Sequence, residues 1–287
     1  MKQRIFVFFF AGWVFATGSG RLAVAFQRPE QEAIEGLVPE AGGEHLRIET
    51  ECGPVHLWRP ANYDAGTAGM VIYIHGYFTS ADQTWTGDRL ARQFHDSARN
   101  ALFLAIEAPQ SNSEEVSWKS LADLLHAVAD RAPFELPKGP LVVVGHSGAY
   151  RTILLWLPDP RVRHVILLDG LYAGQADFRY WLRNSSPSKP HRMVLVSSDT
   201  RRQSNRFARR VSGSARRKSI PLKSSSFTPR ETHARLLYLR SQYEHTEIIS
   251  SGRVIPVLLQ ITPLIRMSDA GGLRVTPHAS PASRTSR

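Results

Sequence analysis

Leu141-Val142-Val143-Val144-Gly145-His146-Ser147-Gly148-Ala149 sets a serine at the abrupt end of an apolar, β-branched run. Tyr150 to Leu157 then reads as a helix, closed by Pro158. Strand, serine and helix in immediate succession are what a nucleophile elbow requires, because the serine must take a strained backbone conformation that lifts its hydroxyl above a sheet. Gly145, two residues earlier, leaves room for that turn. Two residues later the usual pattern has glycine, and here Ala149 is a small departure from it. The competing reading is a serine in a tight turn of an unrelated parallel sheet.

Outward from this stretch, short apolar runs recur: Val71 to His75, Ala101 to Ala108, His164 to Asp169, Met193 to Ser197 and Leu236 to Leu239. They are rich in Val, Ile and Leu without strict alternation, as strands buried on both faces must be. Helical periodicity lies between them. Leu121, Leu124, Leu125 and Val128 make one stripe, with Ser120 and Asp123 as a capping pair, and Leu90, Phe94 and Ala98 make another. His45 to Pro60 reads as antiparallel lead-in strands around Gly53-Pro54. The expectation is an α/β fold: a doubly wound, mostly parallel sheet with helices on both faces over residues 45–263. Residues 26–44 and 264–287, rich in Gly, Pro, Ser or Glu, read as a flexible segment and a disordered tail.

The chain has 287 residues, 42% of them hydrophobic and 21% charged, which excludes a disordered polymer, a collagen-like repeat and a disulfide mini-scaffold. Its single cysteine, Cys52, cannot form an internal disulfide. The net charge of +11 is concentrated rather than spread. Arg201, Arg202, Arg206, Arg209, Arg210, Arg216, Arg217, Lys218 and Lys223 fall within residues 201–223 with no acid among them, and the chain beyond this strip and the amino terminus is nearly neutral. That pattern argues against nucleic acid, whose partners spread basic residues over a docking face. The strip is expected to be a solvated helix end and loop between the penultimate and last strands, and it offers attraction to an anionic surface.

At the amino terminus Lys2-Gln3-Arg4 precedes an apolar run from Ile5 to Ala16, then Thr17-Gly18-Ser19-Gly20 and the small residues Ala23-Val24-Ala25. The order basic, apolar, small is that of a secretory signal peptide over residues 1–25, cleaved after Ala25. The run is short for a transmembrane helix, which needs about 20 apolar residues; an uncleaved anchor is the alternative. Export to a periplasm or to the medium follows, with no transmembrane anchor after cleavage.

A second chemical feature lies upstream. Val71-Ile72-Tyr73-Ile74-His75-Gly76-Tyr77-Phe78 ends a strand in His-Gly. Acyl transfer needs preorganised N–H groups around a developing oxyanion. Gly148 would supply one, and Tyr77 or Phe78 the other. His75 reads as structural.

With these motifs in place, the chain resembles the α/β-hydrolase superfamily of serine hydrolases across roughly residues 45–263. Gly145-His146-Ser147-Gly148-Ala149-Tyr150-Arg151, Leu168-Asp169-Gly170-Leu171-Tyr172 and His245-Thr246-Glu247-Ile248 look like exported bacterial members. The resemblance implies the chain order Ser, acid, His, an acyl-enzyme intermediate and no cofactor. It places the histidine in a loop after the last strand, which selects His245. His233 and His191 precede strands, and His126 lies on a helix. The acid stays open between two residues. Asp199 follows the penultimate strand, the superfamily's usual position. Asp169 follows the strand beside the elbow, a position some members use, and closes an apolar run where an unpaired carboxylate would be costly to bury.

No cluster has zinc-ligand spacing, and nothing reads as a phosphate-cradling glycine loop. Trp85, Trp118, Tyr172 and Trp181 are candidates for an acyl pocket, each also fitting core or rim. The short spacings from Ser147 to Asp169 and on to Asp199 leave no room for a separate cap domain, so the cleft is open unless residues 200–233 fold over it. The reading is a serine hydrolase of a carboxylic ester or related acyl bond on a small or envelope-derived substrate. The alternatives are a non-catalytic hydrolase-fold protein that binds anionic envelope polymers through residues 201–223, and an amidase or peptidase acting on cell-wall material.

Overall fold

The computed structural model describes residues 38–267. The signal peptide expected over residues 1–25 lies outside them, as do residues 26–37 and 268–287. Strands β1 (Val38–Glu40), β2 (Gly43–Ile48) and β3 (Val55–Pro60) form an antiparallel lead-in. Then come β4 (Gly69–Ile74), α1 (Ala81–Gly87), α2 (Leu90–Ser97), β5 (Ala101–Ile106), α3 (Leu121–Ala129), β6 (Leu141–His146) and α4 (Tyr150–Trp156). The second half runs β7 (His164–Leu168), α5 (Gln175–Arg183), β8 (Arg192–Ser197), α6 (Arg201–Arg209), β9 (Ser214–Arg217), α7 (Pro229–His233), β10 (Leu236–Arg240), α8 (Glu247–Ser250) and α9 (Val254–Leu259).

All strands join one sheet in the order β1-β2-β3-β5-β4-β6-β7-β8-β10-β9. Every pairing from β5 onward in that order is parallel. Each central strand is buried on both faces, which explains the lack of polar alternation in the sequence. Val143, Ile72 and Leu167 pack toward Ile153, Trp156 and Phe178 on one side. Val142, Val144 and Ile166 pack toward Phe94, Ile248 and Leu258 on the other. Ser120 caps α3 by accepting the N–H groups of Ala122 and Asp123 at 3.1 and 3.4 Å.

Three boundaries differ from the sequence expectation. The folded body includes residues 38–44, which read as flexible: β1 pairs with β2 through a turn at Ala41-Gly42, both with positive φ, and the Trp58 indole N–H donates to the Glu40 carbonyl at 2.8 Å. It also extends past 263. Leu264 is buried, Asn100 N–H donates to the Ile265 carbonyl, and Met267 N–H donates to the Ala98 carbonyl. Finally, the basic strip is more than a helix end and loop, since it contains all of α6 and the edge strand β9. Of β9 only Ala215 is buried, while Arg216 faces solvent and Arg217 pairs with Glu231 at 3.1 Å. Arginine on an edge strand discourages pairing with another chain.

Trp156, at the end of α4, anchors the helix that follows the elbow. Its ring is buried and its N–H donates to the Trp118 carbonyl at 2.9 Å. Trp156→Ala should therefore destabilise the chain by about 4 kcal/mol in urea unfolding, and Trp156→Phe, which removes the indole N–H and part of the buried ring, by about 2 kcal/mol.

Candidate active site

β6 runs straight into the elbow. Ser147 sits there with φ of +52°, a left-handed conformation that a serine adopts only when its surroundings impose it. The close packing is visible at Gly145, where a Cβ would lie 2.5 Å from Ile153 Cδ1 and 3.0 Å from Ala149 Cβ. Alanine at 149 is thus accommodated because residue 145 carries no side chain. On the other side a Cβ on Gly76 would approach Ser147 Cβ to 2.8 Å. The turn after β4 is pressed against the serine.

His245 lies in the loop between β10 and α8. Its Nε2 is 3.0 Å from Ser147 Oγ, and its Nδ1 is 2.7 Å from Asp169 Oδ2. With Nδ1–H donating to the carboxylate, Nε2 is free to accept the serine proton. His146 Nε2–H donates to the His245 carbonyl at 3.1 Å, and the two rings lie 4.6 Å apart. Burial first, then the neighbouring His245, lowers the His146 pKa to about 4, so this ring stays neutral. His126 and His233 are exposed elsewhere, and His191 stacks on Trp181.

Asp169 also has positive φ, +45°, and its side chain is fully buried. Its carboxylate accepts five hydrogen bonds: from His245, from the backbone N–H groups of Ser198, Asp199 and Thr200, and from the Thr200 hydroxyl, all between 2.7 and 2.9 Å. Burial alone would raise its pKa. The bonds from His245 and Thr200, with the backbone donors, outweigh that and hold it well below the usual carboxylate range. Asp199 takes a different place. Its Oδ2 is 3.9 Å from His245 Nδ1 and its side chain is 58% exposed, while its backbone N–H serves Asp169. Asp169, Asp199 and His245 are also the described residues closest to a cation-binding arrangement. Asp169, however, already spends its oxygens on hydrogen-bond donors.

Of the three N–H groups considered for an oxyanion, Phe78 is a correction. The chain turns at Phe78 with φ of +64°, and its N–H donates to the Gln110 carbonyl at 2.9 Å. Gly148 and Tyr77 remain as candidates. A Cβ on Gly148 would fall 2.4 Å from the Tyr77 ring, so glycine is needed for that close approach. His75 is structural in its contacts: Nε2 accepts the Ala108 N–H at 2.9 Å and Nδ1 faces the Gly76 carbonyl at 2.7 Å.

Arg151, one turn beyond the elbow, has a part that sequence reasoning missed. It donates to the Tyr77 hydroxyl and to the carbonyls of Ser111, Asn112 and Glu114, at 2.7–3.3 Å. It therefore pins the loop after β5 against Tyr77. Contacts to carbonyls leave no pattern in sequence.

Ser147, Gly148 and His245 open onto a cavity of about 610 Å³. Of the four aromatic candidates only Tyr172 lines it; Trp85, Trp118 and Trp181 are buried in the two core layers. Residues 200–233 contribute nothing to its lining.

No family model and no curated protein matches the sequence. Among solved structures, a protein named FAE superposes with a TM-score of 0.50 at 9% identity, over 77% of this chain and 87% of that one. An S-formylglutathione hydrolase from Agrobacterium tumefaciens gives 0.49 at 10% identity, over 81% and 98%. An esterase from the archaeon Pyrobaculum calidifontis gives 0.48 at 12%, over 77% and 86%. The chain has the α/β-hydrolase fold. Within this α/β-hydrolase fold the carboxylate bonded to the histidine follows β7, next to the elbow strand, and the β8 aspartate stands outside it.

The charges around His245 make a prediction for its titration. The Asp169 hydrogen bond, opposed by burial and reinforced by the charges of Asp169 and Asp199, raises its pKa above 6.5. In NMR titrations the ring should titrate above 6.5. Asp169→Asn should lower that midpoint, because the imidazolium loses its partner, and Asp199→Asn should lower it by less. An unmoved midpoint in Asp169→Asn would contradict the assigned contact.

Proposed function

We propose that this chain is a serine hydrolase that cleaves a carboxylic ester through an acyl-enzyme intermediate. The observation that supports this most is the unbroken line Asp169–His245–Ser147, with 2.7 and 3.0 Å contacts, ending on the cavity. The likeness to structures of esterases and an S-formylglutathione hydrolase is one of fold.

In the first half-reaction Ser147 Oγ attacks the ester carbonyl while His245 Nε2 takes its proton. Asp169 holds the ring in the required tautomer and stabilises the imidazolium. The oxyanion of the tetrahedral intermediate is met by the N–H groups of Gly148 and Tyr77. Collapse breaks the bond to the alcohol oxygen, which leaves with the proton from His245 Nε2. A water then attacks the acyl-serine, giving its proton to the same nitrogen, and the second collapse releases the acid and restores Ser147. The leader pattern of residues 1–25 puts this activity in the periplasm or outside the cell.

Ser147→Ala should lower turnover of 4-nitrophenyl butanoate by about 10⁴-fold or more, leaving the catalysis of the oxyanion donors. Asp169→Asn should cost about 10⁴-fold, and Asp199→Asn far less. Wild-type kcat/KM should rise with pH as His245 loses its proton, with a midpoint above 6.5 because the pKa is raised. Full turnover in Ser147→Ala would exclude the proposed chemistry.

A further inference from the structure

The cavity has a second polar corner that the acyl-transfer chemistry does not use. It is built from Tyr73 on β4, Asp88 just after α1, and α8. Gln93 on α2 fixes it: the buried amide Nε2 donates to the Asp88 carbonyl at 2.8 Å and to the Ile249 carbonyl at 3.0 Å, tying the end of α1 to α8. The Tyr73 side chain is 1% exposed, yet its hydroxyl has no hydrogen-bond partner among the described residues. A buried hydroxyl left unpaired is costly, so such a group marks a place where a partner is expected.

Asp88 supplies the charge. It is half-buried, lines the cavity, and its carboxylate makes no hydrogen bond or ion pair among the described residues. Burial raises its pKa, the direction expected of a carboxylate without a cation. The Tyr73 phenol is pushed well above its usual range by burial first and by the Asp88 charge second, so it stays protonated beside that carboxylate. Among the described residues no lysine or arginine lines the cavity, and Asp88 is the one lining carboxylate. The remaining walls include the aromatic rings of Tyr77, Phe78, Tyr150 and Tyr172, whose faces favour a cation.

We propose that this corner is a specificity subsite for a primary ammonium group, with Asp88 as its counter-charge and the Tyr73 hydroxyl accepting one of its N–H bonds. Its extension to substrate, an ester carrying an amine on either its acyl or its alcohol side, rests on the hydrolase reading above. The binding site itself does not.

Two measurements on the full chain test it. In the first, kcat/KM is compared within two near-isosteric pairs: ethyl 6-aminohexanoate against ethyl heptanoate, and 6-aminohexyl acetate against heptyl acetate. A preference of at least about tenfold for the ammonium ester is expected in one pair, and the pair that shows it tells which side of the ester enters the corner. Asp88→Asn should bring that ratio near one, and Tyr73→Phe should lower it by a smaller factor. In the second, hexylammonium binding is measured by calorimetry beside 1-hexanol, and Asp88→Asn should weaken only the hexylammonium, by at least about tenfold.

Turnover of both pairs with no ammonium preference, or hexylammonium binding indifferent to Asp88→Asn, would overturn the subsite. Asp88-dependent binding without hydrolysis of any ester would keep the subsite and overturn the hydrolase reading. Neither binding nor hydrolysis would overturn both. If Asp88→Asn fails to fold, the Tyr73→Phe ratio decides, and an unchanged ratio counts against the proposal.

Discussion

One buried carboxylate ties the site together. Asp169 has no exposure to solvent, and five donors from two separate parts of the chain converge on its two oxygens. Three backbone N–H groups come from the turn that leads from β8 into α6, the hydroxyl comes from Thr200, and the ring N–H comes from the loop after β10. A carboxylate in that position would be prohibitive without such partners. With them it stays ionised and fixes the distance between two neighbouring strand ends and the histidine loop. The positive φ of Asp169 and that of Ser147 are the backbone strain that this network and the tight glycine packing hold in place.

The fold was legible because central parallel strands announce themselves. Val71 to Ile74 and Leu141 to Val144 are apolar at successive positions since each neighbour faces a different core layer. The elements that escaped are those with little to bury. β1 leaves Val38 largely exposed, and β9 sinks only Ala215 while carrying two arginines, so neither shows an apolar run. Backbone pairing makes them strands, β1 with β2 across a tight turn and β9 with β10 beyond α7.

The site divides along the same line. Ser147 and Gly148 lie within one contiguous motif, and His245 follows from its position after the last strand. Two aspartates both end strands, so sequence left them open; which one meets His245 depends on where the N–H groups of residues 198–200 point. Phe78 and Tyr77 are adjacent and differ in one backbone hydrogen bond, invisible before the turn is built. Arg151, His146 and Gln93 act on carbonyl oxygens, which every residue possesses, so their contacts left no mark in the sequence. The polar corner at Asp88 and Tyr73 joins the end of a helix to a buried strand, and only their convergence on one cavity gives them meaning.

The central claim is that the strained serine of the elbow is the nucleophile activated by this network. It is tested most directly by reacting the folded chain with a fluorophosphonate and mapping the adduct by peptide mass spectrometry. The account predicts a single phosphonylated residue, Ser147. Modification of another serine with Ser147 untouched, in protein that still hydrolyses esters, would contradict it.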